Sequence, residues 1–126
     1  MDIRTLSDRQ LALVECENRN YDAVKQYLNN KYHDEHLGLL TLSLATTRNE
    51  IDFVRILLNE QNGEDIDFVD DNGCTALMYA CNFAHMDIIS LLLKRGANAE
   101  IEDRCGLTCL LNALLSENYK IINELI

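Results

Sequence analysis

Long apolar runs are missing from this chain. No segment approaches the roughly 18 apolar residues that a membrane span requires. The first twenty residues mix Asp2, Arg4, Asp8, Arg9, Glu15, Glu17 and Arg19 with apolar positions, which argues against a secretory signal. Basic charge is scarce as well: 11 Lys and Arg stand against 21 Asp and Glu, for a net charge of −10. That balance argues against non-specific DNA or RNA binding, because a phosphate backbone demands a basic footprint. It suits a partner with a basic surface, or serves solubility alone. Paired cysteine spacing is also absent; five cysteines, an odd number, do not read as a disulfide framework. These absences predict a soluble protein inside a cell, in the cytoplasm or nucleus, with neither membrane nor nucleic acid as partner.

What is present is enough for one domain. The chain has 126 residues, 48% of them hydrophobic and 25% charged, so a continuous core is within reach. Its organising stretch runs from Asp70-Asp71-Asn72-Gly73-Cys74-Thr75-Ala76-Leu77 to Leu91-Leu92-Leu93-Lys94-Arg95-Gly96-Ala97-Asn98. It reads as a turn, a short helix, a tight connection, a second helix and a glycine stop. Gly106 follows Gly73 by 33 residues, and at the same interval Ala113 echoes Ala80, Ile121-Ile122 echo Ile88-Ile89, and Leu125 echoes Leu92. A fixed period in the thirties marks a stacked-repeat protein.

The run D-x-x-G-x-T-A-L-x-x-A, followed by H-x-D-I-I-x-L-L-L-K-x-G-A-N, resembles an ankyrin repeat. The match is nearly complete over residues 70–102 and recognisable over 103–126. The resemblance implies an all-α fold: a solenoid of stacked helix-turn-helix units joined by β-hairpin-like turns. It makes residues 1–126 a single ankyrin-repeat domain, with repeats near 5–34, 35–69, 70–102 and 103–126, the last incomplete. Several departures from the family pattern should cost stability. Proline is absent, and Ala76 and Cys109 stand where the family places it after the threonine. Met78 and Leu111 replace a histidine that bonds to the threonine turn. Arg19, Asn49, Ala84 and Glu117 replace the interhelical glycine. Of these four only Asn takes a left-handed conformation comfortably, so the others bear strain or adopt a different turn.

Along the chain, Ser7-Asp8-Arg9-Gln10 reads as a capping box opening a helix to about Asn18. A second helix is predicted from about Tyr21 to Leu28, on the stripe Ala23, Val24, Tyr27 and Leu28. Residues 29–37 lack apolar periodicity and read as a connecting loop. Leu39 to Ala45 forms the next inner helix, and Asp52 to Leu58 the outer one. Gly63 precedes Gly96 by 33 residues, which places a two-residue insertion in Asn59-Glu60-Gln61-Asn62, where closure entropy makes it cheap. Thr75 caps the third inner helix. The fourth repeat stops in an apolar stripe, Ile121, Ile122, Leu125 and Ile126. This predicts either continuation of the chain or self-association at that end.

The chemistry-bearing clusters read as structural. His33 and His36, with Asp34 and Glu35, sit on a predicted exposed loop with no further ligand at zinc spacing. Cys74 and Cys105 fall on turn fingers, and Cys109 begins an inner helix, so they read as surface or half-buried thiols. Cys16 and Cys81 occupy corresponding helical places as small hydrophobes. Glu64, Asp65, Asp67, Asp70 and Asp71, with Glu100, Glu102 and Asp103 one repeat on, read as an exposed acidic rim. Catalytic carboxylate pairs need an enclosed cleft that such a rim does not offer. His85 matches a usual family residue at the start of the outer helix. No catalytic residues, metal or cofactor are expected, and the chain reads as no enzyme.

In proteins of this family, partners usually meet the turn tips and the exposed side of the inner helices. Carried over by position, the second repeat presents His36, Leu37, Leu39, Thr47 and Arg48. The third presents Asp71, Asn72, Cys74, Asn82 and Phe83, and the fourth Arg104, Cys105, Leu107, Leu115 and Ser116. Phe83 with Leu107, Leu115, Leu37 and Leu39 would form an apolar strip rimmed by acids, the pattern of a recognition core. The alternative for Phe83 and Leu115 is gap-filling between inner helices. The resemblance implies a non-catalytic module that binds a protein partner. Two alternatives accompany it: the targeting part of a larger enzyme or effector continuing past residue 126, and a stand-alone inhibitor or chaperone of a basic protein.

Overall fold

The structure, a computed structural model, describes residues 5–32, 41–59 and 66–126. Eight helices occupy them: α1 Asp8–Glu17, α2 Tyr21–Tyr32, α3 Thr41–Thr47, α4 Ile51–Asn59, α5 Ala76–Asn82, α6 Met86–Lys94, α7 Cys109–Leu115 and α8 Tyr119–Leu125. There is no strand among the described residues. The helices gather into two compact units, Met1–Gly63 and Glu64–Ile126.

In the first unit α1 packs on α2 and α4, α2 on α3, and α3 on α4. The Ser7 hydroxyl accepts from the Gln10 amide at 3.2 Å, and the Gln10 side chain accepts from the Ser7 amide at 2.9 Å. Both orphan donors at the start of α1 are thereby satisfied, as the capping box predicts. Cys16, Val24, Leu28, Leu44, Phe53 and Val54 are fully buried and form the core. α2 runs four residues past its predicted end at Leu28. The stretch 29–32 is therefore helix, not loop. Lys31 supplies a reason, because its Nζ reaches Glu50 Oε1 at 3.0 Å and lies 5.9 Å from the Tyr27 ring centre. The rest of the expected loop, including His33, Asp34, Glu35 and His36, lies outside the described residues.

Glu50 anchors a charged cluster in this unit. Its side chain is buried, and Arg9 Nη2 lies 3.3 Å from Glu50 Oε2 and 2.8 Å from Asp52 Oδ2. The hydrogen bond to Asp52, opposed by partial burial, leads the effects that hold the Arg9 pKa above its ordinary value. The guanidinium also sits 5.7 Å above the centre of the Phe53 ring, an attraction that adds to the packing.

In the second unit α5 packs on α6 and α7, and α8 on α6 and α7. Leu77, Ala80, Ile88, Ile89, Leu92, Ala113 and Ile121 supply its core. The Thr75 hydroxyl caps α5 by accepting from the Met78 amide, and Thr108 does the same for α7 from Leu111. Met78 takes over part of the missing histidine's task, since its thioether accepts from the Thr75 amide at 3.4 Å. Sulfur is a weak acceptor, so the substitution is serviceable but poorer.

Of the two outcomes open for the glycine-less turns, the structure shows strain. Arg19, Asn49, Ala84 and Glu117 have φ of 64°, 56°, 55° and 54°. Each turn is closed in the same way. The amide after the left-handed residue bonds to the carbonyl five residues back: Asn20 to Glu15, Glu50 to Ala45, His85 to Ala80 and Asn118 to Ala113, at 2.8–3.0 Å. This satisfies carbonyls that a helix end leaves open. The closure demands a left-handed residue, and three side chains accept it at about 1–2 kcal/mol each.

Candidate partner-binding face

The turn fingers of the second unit are built twice on one plan. Asp70 Oδ1 accepts from the amides of Asn72 at 2.9 Å and Cys74 at 3.0 Å, and the Asp70 amide donates to the Cys74 carbonyl at 3.0 Å. One repeat on, Asp103 Oδ1 accepts from Cys105 at 2.8 Å and Leu107 at 3.0 Å, and its amide donates to the Leu107 carbonyl at 2.9 Å. A short side chain that bonds its own following backbone is how aspartate closes a turn. Gly73 completes the third-repeat finger at φ +74°, where an added Cβ would stand 3.1 Å from the Arg104 amide nitrogen. The two fingers therefore lie against each other. Asp71, Asn72, Arg104 and Cys105 are exposed at their tips.

Asp70 and Asp103 are thus framework within the acidic rim, of which Asp71, Glu100 and Glu102 are exposed. Asp67 also acts on the backbone, accepting from the Asn98 amide at 2.7 Å. Glu64 and Asp65 lie outside the described residues. The second oxygen of Asp70 accepts from the Tyr79 hydroxyl. Burial and then this bond push the Tyr79 phenol above its ordinary value. Cys74 is half-buried behind the finger, with its thiol pushed upward by burial first and the Asp70 charge second.

The inner helices α5 and α7 start directly after the fingers and end at the opposite side of the repeat. Phe83, the residue closing α5, is 53% exposed, and Leu115 at the end of α7 is 72% exposed. Neither fills a gap between helices. Phe83 lies parallel to the His85 ring at 5.9 Å between centres. The Asn112 side-chain amide donates to the Asn82 side-chain oxygen Oδ1, and the Ser116 hydroxyl donates to the Asn112 backbone carbonyl at 2.9 Å. These groups frame a cleft of about 290 Å³ with Cys81 on its wall. Leu107 is half-buried.

In the first unit the expectation for Thr47 needs correction. Thr47 is buried, with its hydroxyl donating to the Leu44 carbonyl at 2.8 Å, so it offers no polar group to a partner. Arg48 is half-buried. His36, Leu37 and Leu39 lie outside the described residues. The structure thus brings together the third- and fourth-repeat candidates. Three residues that hold this site, Asp70, Asp103 and Asn112, stand outside the predicted set. The first two carried a signal in D-x-x-G recurring at 33 residues, whereas Asn112 carried none.

The thiols fall as their positions in the repeat imply, with one change of degree: Cys105 is exposed, but Cys109, first residue of α7, is fully buried. Among the described residues no group of three or more His, Cys, Asp or Glu could hold a metal ion, and no helix is long and apolar enough to cross a membrane.

The family model for ankyrin repeats, three copies long, matches residues 12–103 and 42–126. The chain belongs to the ankyrin-repeat family. It is 30% identical over 96 residues to the tyrosine-protein kinase HTK16 of Hydra vulgaris, a match covering 71% of this chain and 12% of that kinase. It is 27% identical over 85 residues to the ankyrin repeat and KH domain-containing protein mask-1 of Caenorhabditis elegans, covering 68% of this chain and 3% of that protein. Among solved structures, EF0377, an ankyrin repeat protein, superposes with a TM-score of 0.66 at 28% identity, over 92% of this chain and 62% of that one. This ankyrin-repeat chain therefore spans a small part of the curated relatives it matches. Ankyrin repeats are generally protein–protein interaction modules and the fold is non-enzymatic; the kinase match runs through the repeats alone.

Proposed function

We propose that this chain is a non-catalytic recognition module that binds a protein partner through the finger tips and inner-helix ends of its third and fourth repeats. The supporting observation is the double finger, with exposed Asp71, Asn72, Arg104 and Cys105 leading into two inner helices whose far ends leave Phe83 and Leu115 exposed. Large apolar side chains left in water at the ends of well-fixed helices are what hot spots are made of, and acids around them form the rim. With a net charge of −10, the partner carries basic as well as apolar features, and association weakens with salt. Nucleic acid is disfavoured on the same ground. In a longer protein the module would serve as the targeting part, while alone it would serve as an inhibitor or chaperone of a basic client.

The test is affinity capture from cell extract with the native chain, Phe83→Ala and Asp71→Lys, each first checked for native helicity. Loss of capture by the folded variants supports the reading. Unchanged capture by both rejects it.

A second reading rests on the outer side of α7 and α8. Leu111, Leu114, Tyr119 and Ile126 are 44%, 51%, 70% and 88% exposed, whereas Met78 and Cys81, which hold the places of Leu111 and Leu114 one repeat earlier, are buried. Another helix pair, from a second copy or from further chain, would cover this face as α7 and α8 cover α5 and α6. Light scattering over a concentration series, with Leu114→Glu as control, distinguishes self-association from a monomer.

A further inference from the structure

Asn82, Asn112, Ser116 and Asn118 supply the polar side chains of the 290 Å³ cleft at the ends of α5 and α7, and among the described residues no Asp, Glu, Lys, Arg or His lines it. Their hydrogen bonds to protein are incomplete. Asn112 donates one amide proton to Asn82 Oδ1, Ser116 gives its hydroxyl proton to the Asn112 backbone carbonyl at 2.9 Å, and Asn118 Oδ1 accepts from the Ile121 amide at 3.3 Å. Among the described residues, the side-chain nitrogens of Asn82 and Asn118 and the Oδ1 of Asn112 have no partner. Turning over both amides of the Asn82–Asn112 pair exchanges their roles but still leaves one NH2 and one carbonyl open. These open groups are the complement of one peptide unit, whose N–H meets the carbonyl and whose oxygen takes two amide donors. A carboxylate has no proton for the open carbonyl, and an ammonium has no acceptor for the NH2 groups, so a site built on these hydrogen bonds rejects both. Exposed Phe83 follows Asn82 in the chain and exposed Leu115 precedes Ser116, which leaves large apolar surface next to both polar positions. Asn112 takes the position that Tyr79 holds one repeat earlier, and Asn82 the position that Leu115 holds one repeat later, so the pair is particular to this junction.

We propose that this cleft receives one uncharged peptide unit from the main chain of the protein partner, with Asn82 and Asn112 as the residues that determine specificity. The assignment rests on the recognition role of the third and fourth repeats and adds to it a partner segment that is neutral and extended. The partner's N–H donates to Asn112 Oδ1, and its carbonyl accepts from the side-chain nitrogens of Asn82 and Asn118. An extended segment suits the cleft because a helix has already committed its own amides and carbonyls. Proline lacks the N–H and is refused at that position. The bond between Asn82 and Asn112 sets the open groups before the partner arrives, which lowers the cost of ordering them.

The experiment titrates the isotope-labelled native chain with N-acetyl-leucine N-methylamide and follows backbone and side-chain amides by NMR. The expected result is saturable shifts of the Asn82 and Asn112 side-chain NH2 signals and of the Ser116 and Asn118 backbone amides, with a Kd of about 1 mM for a ligand of about 13 non-hydrogen atoms. The same ligand methylated at both nitrogens keeps its carbonyls but has no N–H, and should bind about fivefold more weakly or worse. Asn82→Ala and Asn112→Ala, both helix-favouring and each checked for native helicity, should weaken the capped leucine by a similar factor. Equal binding of the methylated ligand overturns the proposal, as does the absence of saturable shifts up to about 30 mM. Capped glutamine binding about tenfold tighter than capped leucine would assign the cleft to a side-chain carboxamide and overturn the main-chain source. In affinity capture, loss by Phe83→Ala and Asp71→Lys but retention by both asparagine variants overturns the cleft alone. Retention by Phe83→Ala and Asp71→Lys overturns the recognition role itself.

Discussion

Replacing Ala84 by glycine should stabilise this protein. Ala84 is exposed and sits at φ 55°, held there because the His85 amide must reach the Ala80 carbonyl at 2.9 Å. A left-handed L-residue costs about 1–2 kcal/mol. Glycine removes that cost but raises the entropy of the unfolded chain, which returns about 0.4–1 kcal/mol. The balance is a gain of about 0–1.6 kcal/mol, centred near about 0.8, which is some 3–6 °C in melting temperature for a unit of this size. Asn49 supplies the internal control: it has φ 56°, but asparagine tolerates this region, so Asn49→Gly should gain less than about 0.5 kcal/mol. Urea unfolding followed by far-UV circular dichroism reads both, and unchanged slopes show that the denatured state has not shifted. Ala84→Gly should equal or exceed Asn49→Gly, and adding Glu117→Gly should increase the gain. A destabilising Ala84→Gly would show that this turn carries no strain.

Three further outcomes follow from particular contacts. Tyr79 is held above its ordinary value, so the folded state keeps the phenol proton longer than the unfolded chain; stability is full below about pH 10 and falls as pH rises beyond it. In alkaline melting curves Tyr79→Phe should flatten that decline. Glu50→Ala removes the buried carboxylate from Arg9 and Lys31 and should cost about 1–3 kcal/mol in urea unfolding, whereas Asp52→Ala, at a half-exposed partner, should cost under about 1 kcal/mol. Phe83→Ala should stay folded and lose less than about 1 kcal/mol, because the residue is more than half exposed and stands at the end of α5 beside the His85 ring.

The repeat period, the alternation of helices and the threonine caps were legible because each is local. Thr75 and Thr108 precede their helices by one residue, and Ser7 with Gln10 closes a box within one turn. The glycine-less turns were legible as a problem but not as a solution. Choosing between strain and another turn depends on whether the closing backbone bond is worth more than the left-handed conformation costs, and four hydrogen bonds of near-identical length answer that. The end of α2 and the burial of Glu50 were not legible. Both arise where Lys31, Arg9 and Glu50 converge from residues 19 and 41 positions apart. In the candidate site, the tip residues followed from the motif. Asp70 and Asp103 were read as rim charges because composition cannot tell an acid facing water from one turned onto its own backbone. Thr47 failed for the same reason: its hydroxyl had a nearer partner in the Leu44 carbonyl.

The central claim is that partners bind at the third- and fourth-repeat fingers and helix ends, and a footprint tests it most directly. Hydrogen exchange of the chain alone and with its captured partner, read by mass spectrometry, reports which amides become protected. Protection is expected over residues 71–74, 82–83, 104–107 and 115–116, weakening at high salt. Protection confined to α6 and α8, with the fingers exchanging as in the unbound chain, would contradict it.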